Sequence, residues 1–198
     1  MKKMLISVFM ILFSTLFIAL VPTEAEAAIY DDTIRLHILA ESDSAEDQTL
    51  KIKIRDMILE KYSDELSGQT IDEAKKKALE KIPDIEKDVN AKIEEEGYRY
   101  TATAALCEEW YGTREYDGFT LPAGVYTSLK VVIGEGEGKN WWCVMYPPLC
   151  MEIATEAAPA DDGLIDYSKE ELTLIKSGKY NVKFKILEDL SRVFAKNG

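Results

Sequence analysis

The only histidine of this sequence, His37, and its three cysteines, Cys107, Cys143 and Cys150, are the side chains that could form a nucleophile and its base. A thiolate at Cys143, with His37 as base and Asn140 to orient the ring, would make a thiol-hydrolase triad, which is assembled in space rather than in sequence. No nucleophile elbow or activating motif surrounds Cys143, and the plainer reading of His37 is a packed or hydrogen-bonded strand residue. A single histidine rules out a multi-histidine metal site, no Cys-x-x-Cys pair replaces one, and no metal is expected. Cys143 and Cys150 bound an eight-residue segment. A disulfide closing it would stabilise the fold by roughly 2.5 kcal/mol in the loop-entropy account. Buried free thiols, acting as small hydrophobes, are the other reading. Cys107 is the odd cysteine in either case.

Gly134-x-Gly136-x-Gly138 has the outline of a phosphate cradle, yet no Lys-Ser/Thr and no helix follow it, and Glu135 and Glu137 would repel phosphate. A bulged hairpin turn explains it better. The aromatic run beyond it, Trp141-Trp142-Cys143-Val144-Met145-Tyr146, ends at Pro147-Pro148, a pair that cannot donate ladder hydrogen bonds. Interfaces centre on such aromatic anchors. Strand alternation places Trp141 and Trp142 on opposite faces, one towards a core and one towards a surface. The many carboxylates, Glu94-Glu95-Glu96 among them, read as solvated helix surface.

These groups need elements to position them. Ile34, Leu36 and Ile38 alternate as one face of a strand. Ser44 with Asp47, or Asp43 with Glu46, starts a helix whose stripe is Leu50, Ile54, Met57, Ile58 and Tyr62. Thr70 with Glu73 starts another, carrying Ala74, Ala78, Ile82, Ile85, Val89 and Ile93 up to Gly97. Pro83 should kink it or divide it into two helices nearly in line. A strand follows over 98–108, then a turn at 119–124, a strand over 125–133 and a third over 141–146. Past a polar link, 155–166, come a helix from Ser168 to Gly178, a strand through Val182, Phe184 and Ile186, and a last helical turn near Leu190 to Phe194. The reading is an α+β domain, a mainly antiparallel sheet packed against two or three helices in the order β-α-α-β-β-β-α-β-α.

The chain begins with Lys2-Lys3, an apolar stretch of about 17 residues from Leu5 to Val21 (short for a membrane span), and the small-x-small site Ala25-Glu26-Ala27. Residues 1–27 therefore read as a secretory signal peptide and 28–198 as one extracytoplasmic domain; an uncleaved signal anchor would export the same domain. Export removes the chain from cytosolic cofactors, and none is expected. A formal charge of −12 argues against a nucleic-acid partner and against anionic lipid. A protein or a small molecule remains.

Two blocks carry a resemblance. Arg35-Leu36-His37-Ile38-x-Ala40-x-Ser42-Asp43-Ser44 with Asp47-Gln48-x-Leu50-Lys51 is one. Leu121-Pro122-Ala123-Gly124-x-Tyr126-x-x-Leu129, continuing through Val132-Ile133-Gly134-Glu135-Gly136-x-Gly138-Lys139-Asn140-Trp141-Trp142-Cys143-Val144 to Pro147-Pro148-Leu149-Cys150, is the other. Together with Val182-x-Phe184-Lys185-Ile186 they resemble the stage II sporulation protein R family. Ala102 to Leu106 is more apolar than the family pattern, and Gly112 stands where a proline is common.

The resemblance implies a signalling protein, not an enzyme, exported from the forespore into the space between the forespore and mother-cell membranes. Its partner there would be a membrane-embedded sporulation aspartic protease of the stage II sporulation protein GA type, which matures the mother-cell sigma factor E. On that reading Trp141 or Trp142, with Tyr146, Arg35 and His37, would contact the partner. The alternatives are an exported hydrolase of peptide or cell wall using Cys143 and His37, and a passive component of the septal space.

Overall fold

Ile34, Leu36 and Ile38 occupy the middle of the molecule, on a strand flanked on both sides. The computed structural model describes residues 24–66, 70–116 and 119–147, with positions 4, 6–11, 13–14, 171 and 175. Its elements are α1 (Glu24–Asp31), β1 (Ile34–Leu39), α2 (Ala45–Leu66), α3 (Ile71–Glu95), β2 (Ala102–Tyr111), β3 (Arg114–Tyr116), β4 (Phe119–Leu121), β5 (Gly124–Ile133) and β6 (Asn140–Tyr146). The main sheet runs β2-β5-β1-β6, and β3 and β4 form a separate two-stranded ribbon. The α+β architecture expected from the sequence is present. Of the three pairings in the main sheet, β2–β5 and β1–β6 are antiparallel and the central β1–β5 is parallel.

Both long helices begin where the side chains can cap them. Thr70 Oγ1 accepts from the Glu73 amide at 3.3 Å and Ser44 Oγ from the Asp47 amide at 3.1 Å, so Ser44 with Asp47 is the cap that forms. Pro83 lies inside one continuous helix. It is exposed, so the lost hydrogen bond leaves a carbonyl that water can satisfy. The apolar stripes then pack on one face of the sheet, where Leu50, Ile54, Ile58, Ile85, Val89 and Ile93 meet Leu36, Ile38, Leu129 and Val131. Burial of such a cluster is the main stabilising term. The first described side chain buried in it is Ile29, two residues beyond the expected signal cleavage site.

Two local expectations are corrected. Phe119 to Leu121 is not a turn: it is β4, paired with β3 through Tyr116↔Phe119, and only Pro122 and Ala123 separate it from β5. Nor is the Gly134–Gly138 segment a hairpin, because β5 and β6 are not neighbours. They lie on either side of β1, so their connection must cross the end of that strand, a step of roughly two strand spacings, or about 9.6 Å. The crossing is held by backbone contact. Gly138 N donates to Ala40 O at 2.9 Å and Glu137 N to Glu41 O at 3.2 Å, while Lys139 N donates to Asp43 Oδ1 at 2.7 Å. A Cβ on Gly138 would overlap the Ser42 carbonyl, and Gly134 and Gly136 have φ of 58° and 68°, where side chains are strained.

The start of α2 closes the same junction. Lys51 Nζ donates to Lys139 O at 2.7 Å and to Gln48 Oε1 at 2.6 Å, and Gln48 Nε2 donates to Ser42 O at 2.8 Å. Asp47 accepts from Ser42 Oγ at 2.5 Å and from the Tyr100 hydroxyl. Burial pushes the Asp47 carboxyl up, but these hydroxyls hold it below its ordinary value. Burial also lowers the Lys51 ammonium, against the attraction of Asp43.

The helix from Ser168, the strand through Val182 to Ile186 and the turn near Leu190 lie outside the described residues, apart from helical, buried Glu171 and Ile175. Among the described residues no helix is long and apolar enough to cross a membrane.

The crossing predicts a specific sensitivity. Gly138→Ala should lower stability by about 1–3 kcal/mol, since the rigid Ser42 backbone has to move. Chemical unfolding monitored by tryptophan fluorescence would measure it, and an unchanged midpoint would mean that the loop is not clamped.

Candidate functional site

Strand register decides which chemistry-bearing side chains meet. Leu36 is opposite Cys143 and His37 is opposite Trp142, so Cys143 and His37 project to opposite faces of the sheet. Cys143 is also disulfide-bonded, which removes the thiolate that a hydrolase needs. The Cys143–His37–Asn140 arrangement is therefore not assembled. Cys107 is a free thiol whose titration burial raises, and Cys150 lies outside the described residues. No cluster of three His, Cys, Asp or Glu that could hold a metal occurs among the described residues.

The face away from α2 and α3 carries a cluster of cations and rings centred on buried Arg35. Arg35 is fully buried, with its guanidinium 4.1 Å from the Tyr111 ring centroid and 5.1 Å from that of Tyr126. Nη2 donates to the Tyr116 hydroxyl at 2.5 Å, and Nε and Nη1 have no hydrogen-bond partner among the described residues. Aromatic faces take the place of a carboxylate for this charge. Parallel pairing sets Arg35 beside Ser128 and His37 beside Lys130. His37 Nδ1 is 2.9 Å from Glu109 Oε2, and Lys130 Nζ is 2.8 Å from Glu109 Oε1. Tyr111 and Ser128 share a hydrogen bond at 2.7 Å.

Trp142 stacks on His37 at 5.7 Å between centroids, and Arg114 from the β3–β4 ribbon covers its other side at 4.0 Å. Trp141 faces the helices instead, where Arg55 stands 4.5 Å from its ring centroid. The two tryptophans thus separate to opposite faces, as alternation requires. Both are half-buried, whereas Arg35, His37 and Tyr146 are buried, with Tyr146 packed on Ile34 and Ala74. Of the five side chains singled out as partner contacts, those three serve the interior. Arg35 and His37 orient the cluster beneath Trp142 and are not themselves accessible.

The tryptophan that is exposed is Trp110, at 46%, directly opposite Val125 at 50% on the neighbouring strand. The sequence does not single it out. Period two puts Trp110 on the same face as Ala102 and Leu106, which reads as core. Leu106 is half-buried and packs against the cluster of Ile34, Ala74 and Tyr146, whereas Trp110 on the same face stays exposed. A cavity of about 250 Å³ beside α2 and α3 is lined by Met57, Lys61, Asp88, Ala91, Lys92 and Glu95. Its charged side chains are paired, Asp88 with Lys61 and Tyr62 and Lys92 with Glu95 and Glu96.

Residues 30–156 match the family described as stage II sporulation protein R. Stage II sporulation protein R of Bacillus subtilis (strain 168) is 37% identical over 123 residues, which make up 62% of this chain and 55% of that protein. The chain therefore spans little more than half the length of this curated relative. Neither name is that of an enzyme. No solved structure matches the chain.

The half-buried Glu109 carboxylate makes a pH-dependent contribution. Burial pushes the Glu109 carboxyl up, but Lys130 and His37 outweigh it and hold the group below its ordinary value. Its folded value lies below the unfolded one of roughly 4.3, so its contribution is complete above that pH and is lost as pH falls through the folded value. Glu109→Gln should lower stability at pH 7 and flatten the loss between about pH 5 and pH 3. Urea midpoints across that range test this; parallel curves for the two proteins would remove Glu109 from the acid response.

Proposed function

The chain belongs to the stage II sporulation protein R family, and we propose that it is an exported signalling protein that activates a membrane-embedded aspartic protease during sporulation. The protease would in turn mature the mother-cell sigma factor E. The family match over residues 30–156 carries this reading. Three features of the chain support it. The leader at 1–27 has the pattern of a secretory signal. The net charge of −12 favours a protein partner over nucleic acid or anionic lipid. The one histidine is paired with Glu109 and stacked on Trp142, which leaves no accessible base beside a nucleophile.

An activator of this kind works by differential affinity: it shifts the protease only as far as it binds the active arrangement more tightly than the inactive one. A rigid surface suits that task, because little binding free energy is then lost in ordering the ligand. The sheet, clamped at one end by the glycine crossing and covered on one face by two helices, supplies such a surface. The partner would sit in the space between the forespore and mother-cell membranes.

Co-expression in a non-sporulating bacterium, with the protease and the sigma factor E precursor, tests the reading directly. Precursor cleavage should appear only when residues 1–27 are present to export the protein. Cleavage that is indifferent to the leader, or none with all three proteins folded, would overturn it.

A further inference from the structure

Edge strands expose backbone groups that proteins usually cover or disrupt. The outer edge of β2 is treated in two ways along its length. At its start, Asn90 of α3 behaves like a neighbouring strand: Oδ1 accepts from Ala102 N at 2.8 Å and Nδ2 donates to Ala102 O at 2.9 Å. Glu86 Oε2 accepts from Ala104 N at 2.9 Å. The outward groups are thus those of even-numbered residues. The β2–β5 register runs without a bulge from Ala102↔Ile133 to Tyr111↔Gly124, so Leu106, Glu108 and Trp110 also direct N–H and C=O outward. No described residue meets those amides.

The unpaired stretch is where the apolar surface emerges. Trp110 and Val125, the exposed cross-strand pair, stand beside it. Glu108, which is exposed, and Glu86, which accepts from Ala104 N, give this edge a negative charge. A second copy pairing here would bring Glu108 towards its own counterpart's acidic edge, which disfavours self-association. A strand from a basic partner would meet complementary charge.

We propose that the Leu106–Trp110 edge of β2 is the docking site for an extended, Lys- or Arg-bearing segment of the protease's extracytoplasmic face. That segment adds as a fifth strand and lays an apolar side chain on Trp110 and Val125. Main-chain hydrogen bonds supply affinity in such augmentation, and side chains on alternate positions supply specificity. The site rests on the activator reading and names the surface through which it acts.

Two measurements test it, both on the exported protein with the protease in detergent. Binding should slow hydrogen exchange at the amides of Leu106, Glu108 and Trp110 and leave those of Thr103 and Ala105, which face β5, unchanged. Glu108→Pro removes one outward donor without touching the β2–β5 ladder, and Trp110→Ala removes the anchor; each should weaken binding about tenfold or more. Glu108→Ala, which keeps the edge, should not reach that loss. If the wild type binds and activates while the three amides stay unprotected, the docking site is wrong and the activator reading stands, and the exchange result decides this even if Glu108→Pro fails to fold. Edge protection that grows with protein concentration alone would assign the edge to self-association and overturn the proposal. If the wild type neither binds nor activates, both fall together.

Discussion

The fold depends on one crossing. For β1 to sit at the centre of the sheet, between β5 and β6, the chain leaving β5 must pass over the end of β1 before β6 can begin. It does so in backbone contact with Ala40 to Asp43, at a distance that admits no side chain on Gly138. The same four residues turn the chain into α2, so the strand exit, the helix cap and the crossing share their hydrogen bonds. Ser42, Asp47, Gln48 and Lys51 are tied to one another and to Lys139. Two of the most specific sequence blocks, one around Ser42 and the other around Gly136, are in this sense one object seen from two sides.

Behind that junction the sheet separates two kinds of interior. The helix side is aliphatic and its stability follows from area removed from water. The other side is built of Arg35, His37, Glu109 and Lys130 among tyrosines and Trp142. Buried charge costs free energy unless it is paired, and Glu109 is shared by His37 and Lys130. Arg35 is compensated by ring faces and one hydroxyl. An aliphatic replacement of similar volume would avoid the desolvation, so stability alone does not explain this arrangement. The directional contacts do hold the β3–β4 ribbon against the sheet, through Tyr116 on Arg35 and Arg114 on Trp142.

The consequence for the proposed signalling role is a division of labour. Side chains of the kind usually found at interfaces, Arg35, Tyr146 and His37, are spent on internal geometry. What β2 offers outward is simpler: a length of strand unpaired among the described residues, a tryptophan beside a valine, and carboxylates. A rigid sheet presenting these needs no chemistry of its own to bias a partner between two states.

The sequence determined what acts over a few residues. Period two and the capping pairs placed β1, β5, β6 and both long helices, and alternation alone put Trp141 and Trp142 on opposite faces. Glycine at 134, 136 and 138 marked a turn, which the sequence read as a bulged hairpin and the structure makes a crossing. Tertiary structure decided the rest, because strand order is a contest among segments far apart in the chain. Nothing near Gly136 reveals that β5 pairs with β1 and not with β6, and that choice turns a hairpin into a crossing. Burial is non-local in the same way. Arg35 becomes interior because Tyr111, Tyr116 and Tyr126 converge on it from other strands, and Trp110, in phase with half-buried Leu106, is left exposed.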